Sequence, residues 1–401
     1  MNHLYLLFVR MILIGGLLSC VSTSLHAQWK QCSGSFVGEI TCFTGNIAVL
    51  YVGTSTSGIY RSTDGGAGWS QVNKGLTDQK VHALAMIGSI VFAGTDFDGL
   101  FRSQDNGDTW TAANEGRIHL LNIDVHSIVS RENLLFAGSL GGGVSRSIDF
   151  AENWTPVNTT LGNEYVHSLG LLGSKLFAGT EGGVSRSKDN GVSWEKANTG
   201  LPNAPTYVTS FTVSGTTIFA GTSDSGVFRS NDNGDTWEEA NGGLPTKNIT
   251  SMAAIGSTIF VGSSDAGVFM SSDNGTNWTP FTTGLEHLKI SSLYAKGSTL
   301  YAGTALASVW KYEKVTSVSE SENTVKEIVI TPNPAGTSFT ITGIDGADHL
   351  ELINSIGMTI RAWKVESSVC TLDVAGVPAG VYSLRISTAT GMRHTPIVVM
   401  H

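Results

Sequence analysis

Versions of one octapeptide, S-x-D-x-G-x-T-W, recur six times along this chain of 401 residues, about forty residues apart. They run Ser62–Trp69, Ser103–Trp110, Ser147–Trp154, Ser187–Trp194, Ser230–Trp237 and Ser271–Trp278. A fixed period of this length means one supersecondary unit stacked repeatedly, each copy too small to bury its own hydrophobic face. The unit is legible from Ile249 to Gly284. Ile249–Ile255, Thr258–Gly262, Gly267–Ser271 and Trp278–Phe281 read as four short strands separated by turn signals, the pattern of a propeller blade.

Within the octapeptide each residue type has a mechanical reason. Asp273 accepts hydrogen bonds from amides of its own turn. Gly275 takes the left-handed conformation of a tight turn, and Trp278 staples the turn onto the sheet. The third copy, S-I-D-F-A-E-N-W, carries Ala151 in place of that glycine, so its turn is expected to be looser. The corresponding aspartates, Asp64, Asp105, Asp149, Asp189, Asp232 and Asp273, are therefore read as structural.

The tryptophans count the blades. Trp29 stands in register forty residues before Trp69, with no strands ahead of it, while Leu300–Thr304 and Val309–Tyr312 lack a following fourth strand. The segment from Trp29 supplies it. The expectation is an all-β chain whose first part is a seven-bladed β-propeller over residues 28–314, closed by its N-terminal strand so that no long sheet edge stays open.

Charged residues make up 14% of the chain, well under the roughly 25% of an average soluble domain. The net charge of −9 disfavours nucleic acid and anionic lipid as partners, because both demand a basic face. Residues 1–27 read as a signal peptide, with His3 and Arg10 flanking apolar Met11–Leu18 and a small-residue exit at Ala27. Leu17-Leu18-Ser19-Cys20 offers a lipoprotein processing site as the alternative. No later stretch is apolar for long enough to span a membrane as a helix. Cys32 and Cys42 are the one nearby pair for a disulfide, and no metal or catalytic role is assigned to any cysteine.

A polar linker occupies residues 315–326, and residues 327–401 alternate in the period of two expected of a small Ig-like β-sandwich. The repeats resemble the Asp-box, or bacterial-neuraminidase-repeat, propellers, a likeness covering about Gln28 to Lys314. That family includes sialidases, xyloglucan hydrolases, sortilin-like receptors and a photosystem assembly factor, so the likeness implies a fold and no single reaction. The tail resembles the type A C-terminal sorting domain of the type IX secretion system. Pro332-Asn333-Pro334-Ala335, Gly357, Pro378, Gly380 and Tyr382 carry that resemblance. It implies handling by the type IX machinery and its sortase-like protease, and a secreted or surface-attached protein of a Gram-negative bacterium.

Strand alternation puts the octapeptides on one propeller face and the inter-blade links, with the second-to-third loops, on the other. Variable loops on a rigid scaffold are the usual place for function. Candidate ligand-binding residues on that face are Asp98, Arg117, His119, Glu181, Tyr207, Asp224 and Asp265. A finer pattern lies on the innermost strands, where His82, His126 and His167 occupy one repeat position that elsewhere holds Thr41, Thr209, Thr250 and Ser291. These central-channel histidines can meet a metal or pack between blades. With no carboxylate evident in register, the second reading is preferred, and neither metal nor cofactor is assigned.

A sialidase needs an arginine cluster and an R-I-P motif. Here Arg61, Arg102, Arg146, Arg186 and Arg229 all fall at one repeat position, which marks them as structural. No catalytic residue is assigned. The favoured function is a secreted or surface-displayed module that binds an extracellular glycan or protein. The alternative is a glycoside hydrolase using paired carboxylates on the loop-rich face.

Overall fold

The computed structural model describes residues 28–116, 124–202, 206–313, 328–332, 335–342, 344, 347–354, 358–365, 367–388 and 391–399. The signal peptide and linker expected from sequence lie outside these residues. The chain divides into two compact units, Met1–Thr316 and Ser317–His401. Among the described residues every regular element is a strand, and no helix is long and apolar enough to cross a membrane.

The first unit contains seven four-stranded antiparallel sheets, each an up-and-down blade. Blade 6 is typical, pairing Ile249–Ile255, Thr258–Ser263, Val268–Ser271 and Thr279–Pro280 in sequence order. Blade 7 joins the two ends of the ring. Its inner strands are Ile290–Lys296, Thr299–Thr304 and Val309–Glu313, and its outer strand is Lys30–Gln31. Lys30 faces Lys311 and Gln31 faces Trp310, so the N-terminal segment closes the ring as expected.

Neighbouring blades pack so closely that the second strand must contain glycine. A Cβ added to Gly262 would lie 2.6 Å from Ile290 Cγ2 on the next blade, and one on Gly94 would lie 2.6 Å from Val125 Cγ1. The recurrent Ala-Gly-Thr of the second strands is thus a packing requirement.

The octapeptide turns are locked from inside and from the side. In the sixth copy Ser271 Oγ donates to Asp273 Oδ1 at 2.8 Å and accepts from the Gly275 amide at 2.9 Å. Asp273 Oδ1 also accepts from the Asn277 amide at 2.9 Å. The tryptophan does more than staple its own turn, because its indole Nε1 reaches the preceding blade. Trp110, Trp154, Trp237 and Trp278 donate to the carbonyls of Val72, Ala113, Ala197 and Ala240 at 2.7–2.9 Å. Trp29 donates to Phe281 at 2.7 Å, which makes it the true seventh member. The repeat arginines form a second latch in the opposite direction. Arg61, Arg102 and Arg146 donate through Nη1 to the carbonyls of Asn106, Phe150 and Asn190 in the next blade's turn, at 2.7, 2.9 and 3.0 Å. Arg186 and Arg229 do the same with Asn233 and Asn274. Blade 6 has Met270 at this position, where the following blade has no octapeptide to latch onto.

One expectation needs correction, and the open question of the cysteine pair is answered. The third turn is no looser than the others: Ala151 donates its amide to Ser147 Oγ at 2.9 Å, and Asn153 donates to Asp149 Oδ1 at 2.9 Å. Phe150 and Ala151 simply adopt the left-handed conformation, with φ of 56° and 65°, where the sixth copy uses Asn274 and Gly275. Cys32 and Cys42 are free thiols. They sit in different hydrophobic clusters, Cys32 at the seam of blades 7 and 1 and Cys42 against blade 2, and burial pushes them to about 11 and about 12.

The second unit is a sandwich of two antiparallel sheets. Val329–Thr331, Ser338–Thr342 and Val369–Asp373 form one sheet; Thr359–Lys364, Ala347–Ile353, Gly380–Thr388 and Gly391–Val399 form the other. Phe339, Ile341, Leu350, Leu352, Leu384 and Ile386 fill the space between them. Gly380 opens a long strand, and Tyr382 donates its hydroxyl to the Pro378 carbonyl at 2.8 Å. Pro332 is exposed, whereas Asn333, Pro334 and Gly357 lie outside the described residues.

Candidate functional site at the channel mouth

Every blade breaks register near the start of its innermost strand. Pairing slips between Val81 and Ala83, between Val125 and Ser127 and between Val166 and Ser168, and equivalent slips occur in the other four blades. Such a bulge frees one residue from the ladder and re-aims its side chain. The seven freed residues are Thr41, His82, His126, His167, Thr209, Thr250 and Ser291. They form a ring at the end of the channel facing the inter-blade links.

Four members of that ring serve the scaffold. Thr209, Thr250 and Ser291 each donate a hydroxyl to the first-strand carbonyl of the next blade, at Ile249, Ile290 and Ile40, all at 2.7 Å. Thr41 does so to Val81 at 2.5 Å. The three histidines depart from this rule and turn to carboxylates. This overturns the expectation that they have no acidic partner in register.

His82 Nε2 lies 3.2 Å from Asp96 Oδ1 and 3.6 Å from Asp124 Oδ1, while His126 Nε2 lies 2.9 Å from Asp124 Oδ2. His167 Nε2 is 3.6 Å from Glu181 Oε1. The rings form a continuous arc. His82 stacks on His126 at 4.2 Å between centroids, His126 meets His167 edge-on at 6.2 Å, and His167 meets Tyr207 edge-on at 5.5 Å. Two polar atoms within the arc, Asp124 Oδ1 and His167 Nε2, are buried without a hydrogen-bond partner.

Burial, and then the neighbouring His126, hold His82 below the ordinary histidine value despite Asp124 and Asp96. Burial and His126 likewise outweigh Glu181 at His167. Both rings are therefore neutral at pH 7, and the His82–Asp96 contact is a hydrogen bond from a neutral imidazole. Burial pushes Asp96 upward, but hydrogen bonds from Lys80 Nζ at 2.8 Å and from His82 outweigh it and keep the carboxyl below the usual range.

Of the ligand-binding candidates, Glu181 and Tyr207 belong to this arc. Asp98, Asp224 and Asp265 do not gather there. Asp98 accepts from Thr77, exposed Asp224 from its neighbour Ser225 at 2.9 Å, and exposed Asp265 from Thr246 at 3.4 Å. Arg117 and His119 lie outside the described residues. Asp96 and Asp124 are the group members that sequence reasoning left among unremarkable loop acids. A signal exists for Asp96. Asp96 follows His82 by fourteen residues, the interval at which the paired second strand returns past the bulge, and Glu181 follows His167 by the same interval. Large aromatic side chains stand exposed on the same link face: Phe97 at 65%, Tyr165 at 51% and Tyr207 at 38%.

Residues 126–259 match the DUF6242 β-propeller domain, and residues 329–400 match the secretion-system C-terminal sorting domain. The protein is secreted or displayed on the outer surface. No curated protein matches the chain. Among solved structures, PorZ of Porphyromonas gingivalis, described as an essential surface component of the type IX secretion system, superimposes with a TM-score of 0.55 at 14% identity. The match covers 92% of this chain and 60% of PorZ. The extracellular domain of a hybrid two-component system from B. thetaiotaomicron gives a TM-score of 0.62 at 14% identity, over 92% of this chain and 52% of that one. YCF48, solved with a bound D1 peptide, gives 0.57 at 13% identity, over 72% of this chain and 97% of YCF48. At these identities the likeness is one of fold. The chain spans little more than half the length of the first two.

Proposed function

We propose that the propeller is an extracellular binding module whose ligand, a glycan or a segment of another protein, docks at the channel mouth on the link face. The observation that carries this reading is the break in the bulge ring. Where four blades spend the position on a bond to the next blade, three consecutive blades present imidazoles, supported by Asp96, Asp124 and Glu181. Exposed Tyr165 and Tyr207 on the adjoining links offer stacking faces for a sugar ring or an apolar side chain. The bound D1 peptide of YCF48, whose fold superimposes on this chain, supports the reading by analogy. We also infer kinship with the Asp-box propellers; the shared lock of box serine, aspartate and turn amides supports it.

Hydrolysis is less well supported. Asp98, Asp224 and Asp265 are tied to separate rim hydroxyls, and Asp96, held below the usual range, is a poor proton donor at neutral pH. The test is a screen of the full chain on glycan and peptide arrays, followed by affinity measurements and product analysis on any hit. Binding without turnover, weakened about tenfold or more by Tyr165→Ala or Tyr207→Ala and left intact by Asp224→Asn, is the expected result. A ligand cleaved during the assay, or one insensitive to both tyrosine replacements, would overturn the reading.

A further inference from the structure

We infer that His82, Asp124 and His126 form a binding site for a divalent transition-metal ion at the channel mouth. One ligand atom from each of these residues lies within 4.8 Å of the other two, and none of the three residues is fully exposed. The near-parallel stack of His82 on His126 brings both Nε2 atoms to the single carboxylate of Asp124, at 3.6 and 2.9 Å. Two imidazole nitrogens and one carboxylate oxygen are a borderline donor set. It suits Zn²⁺ and its neighbours in the transition series rather than Mg²⁺ or Ca²⁺, which prefer oxygen throughout.

Three features favour a site over a packing arrangement. First, the scaffold's own occupant of this position is a hydroxyl bonded to the next blade, and three successive blades put histidine there instead, the fourth blade of the ring keeping its tie through the neighbouring Ser168. Second, Asp124 Oδ1 is buried with no hydrogen-bond partner, a costly state that a cation relieves. Third, His167 Nε2 is in the same condition one blade further on, next to Glu181, so the arc holds a second pair of donors beside the first. A proton on His82 Nε2 serves the hydrogen bond to Asp96. An ion bound there moves that proton to Nδ1 and leaves the ring neutral, so coordination requires no net ionisation of the imidazole. Three protein ligands leave coordination positions open at the mouth, where an oxygen or nitrogen of an incoming molecule can bind. The inference concerns the ion and stands whether or not the binding-module reading holds.

The test is isothermal titration of the untagged full chain with Zn²⁺ after chelator treatment, with equilibrium dialysis for stoichiometry. The expected result is one ion per chain with a dissociation constant of micromolar or below. His82→Thr, His126→Thr and Asp124→Asn should each weaken it by about tenfold or more. The threonine replacements restore the residue used by other blades, so circular dichroism and unchanged melting separate lost ligation from lost folding. His287→Ala, at a link of another blade, should bind as the unaltered chain does. Binding no tighter than millimolar, affinity unchanged by folded His82→Thr and His126→Thr variants, or affinity lost in His287→Ala would each overturn the inference.

Discussion

Removing one indole N–H should have opposite consequences at two tryptophans that the sequence presents as equivalent. Trp237 Nε1 is buried and donates to the Ala197 carbonyl at 2.9 Å. Trp69 Nε1 is also buried, but it has no hydrogen-bond partner. Trp→Phe would confound this difference with lost ring area. Site-specific incorporation of benzothienylalanine, which replaces the N–H by sulfur and keeps the bicyclic shape, isolates it. At position 237 the change orphans a buried carbonyl, which costs about 1–3 kcal/mol. At position 69 it removes a donor that was already unsatisfied, so the cost vanishes or changes sign. At roughly 2–4 °C per kcal/mol, the two melting temperatures should separate by about 2–12 °C, with the position-69 protein higher. Thermal unfolding followed by near-ultraviolet circular dichroism, checked by urea midpoints at constant m-value, reads the difference. Equal melting temperatures, or a lower one for position 69, would refute the view that the indole N–H is the link between blades.

Gly262→Ala should destabilise the propeller by about 1–3 kcal/mol, since the new methyl would stand 2.6 Å from Ile290 Cγ2; a urea midpoint within error of the parent would show that the blades can separate slightly. Replacing Phe150-Ala151 by Asn-Gly should stabilise by about 1 kcal/mol, because two L-residues now hold φ of 56° and 65°; a lowered midpoint would mean that Phe150 or Ala151 contributes packing that outweighs the strain. Hydrogen bonds from the turn hold Asp105, Asp232 and Asp273 at about 2, below the ordinary carboxyl value of 3.8. The stability they provide is therefore complete above about pH 4 and is lost as pH falls towards 2. An acid titration of melting temperature should show this loss, and it should shrink in Asp105→Asn and Asp273→Asn; a profile unchanged by either substitution would assign the acid sensitivity to other groups.

The ring and its closure are legible in the sequence because the features that encode them repeat. Trp29 announces the outer strand of blade 7 by register alone, and its Nε1 bond to Phe281 continues the pattern of Trp278 and Ala240. The repeat arginines are recognisable as scaffold for the same reason, although periodicity does not reveal that they grip the next blade. What a repeat conceals is the exception. Trp69 looks like its siblings and lacks their bond. Ala151 breaks the pattern in text and keeps it in space, because the serine and aspartate locks are strong enough to hold an L-residue in the left-handed region. The histidine arc is half legible. His82, His126 and His167 stand out as a row, but Asp96 and Asp124 are ordinary loop acids until the bulge shows which way the row points.

That division has a physical basis. Local sequence determines which residues lie on an innermost strand, but the aim of a side chain at the channel mouth depends on one slipped pair in the ladder, and the slip is common to all blades. The bulge is therefore part of the scaffold, and the chemistry is a substitution made upon it. Hydroxyl-bearing residues at the slipped position tie blade to blade; imidazoles give up that tie and gain carboxylate neighbours instead. The three histidines occupy consecutive blades, so the polar groups that replace the hydroxyls face one sector of the mouth, although in the fourth blade Ser168 Oγ keeps the tie to the next blade through the Val208 carbonyl at 2.7 Å. The opposite sector keeps its hydroxyl ties through Thr209, Thr250, Ser291 and Thr41. A seven-fold ring thereby acquires a single direction of approach without any change of fold. Substitutions on the histidine side should accordingly alter ligand or ion affinity with little effect on melting, whereas removal of the hydroxyl ties should do the reverse.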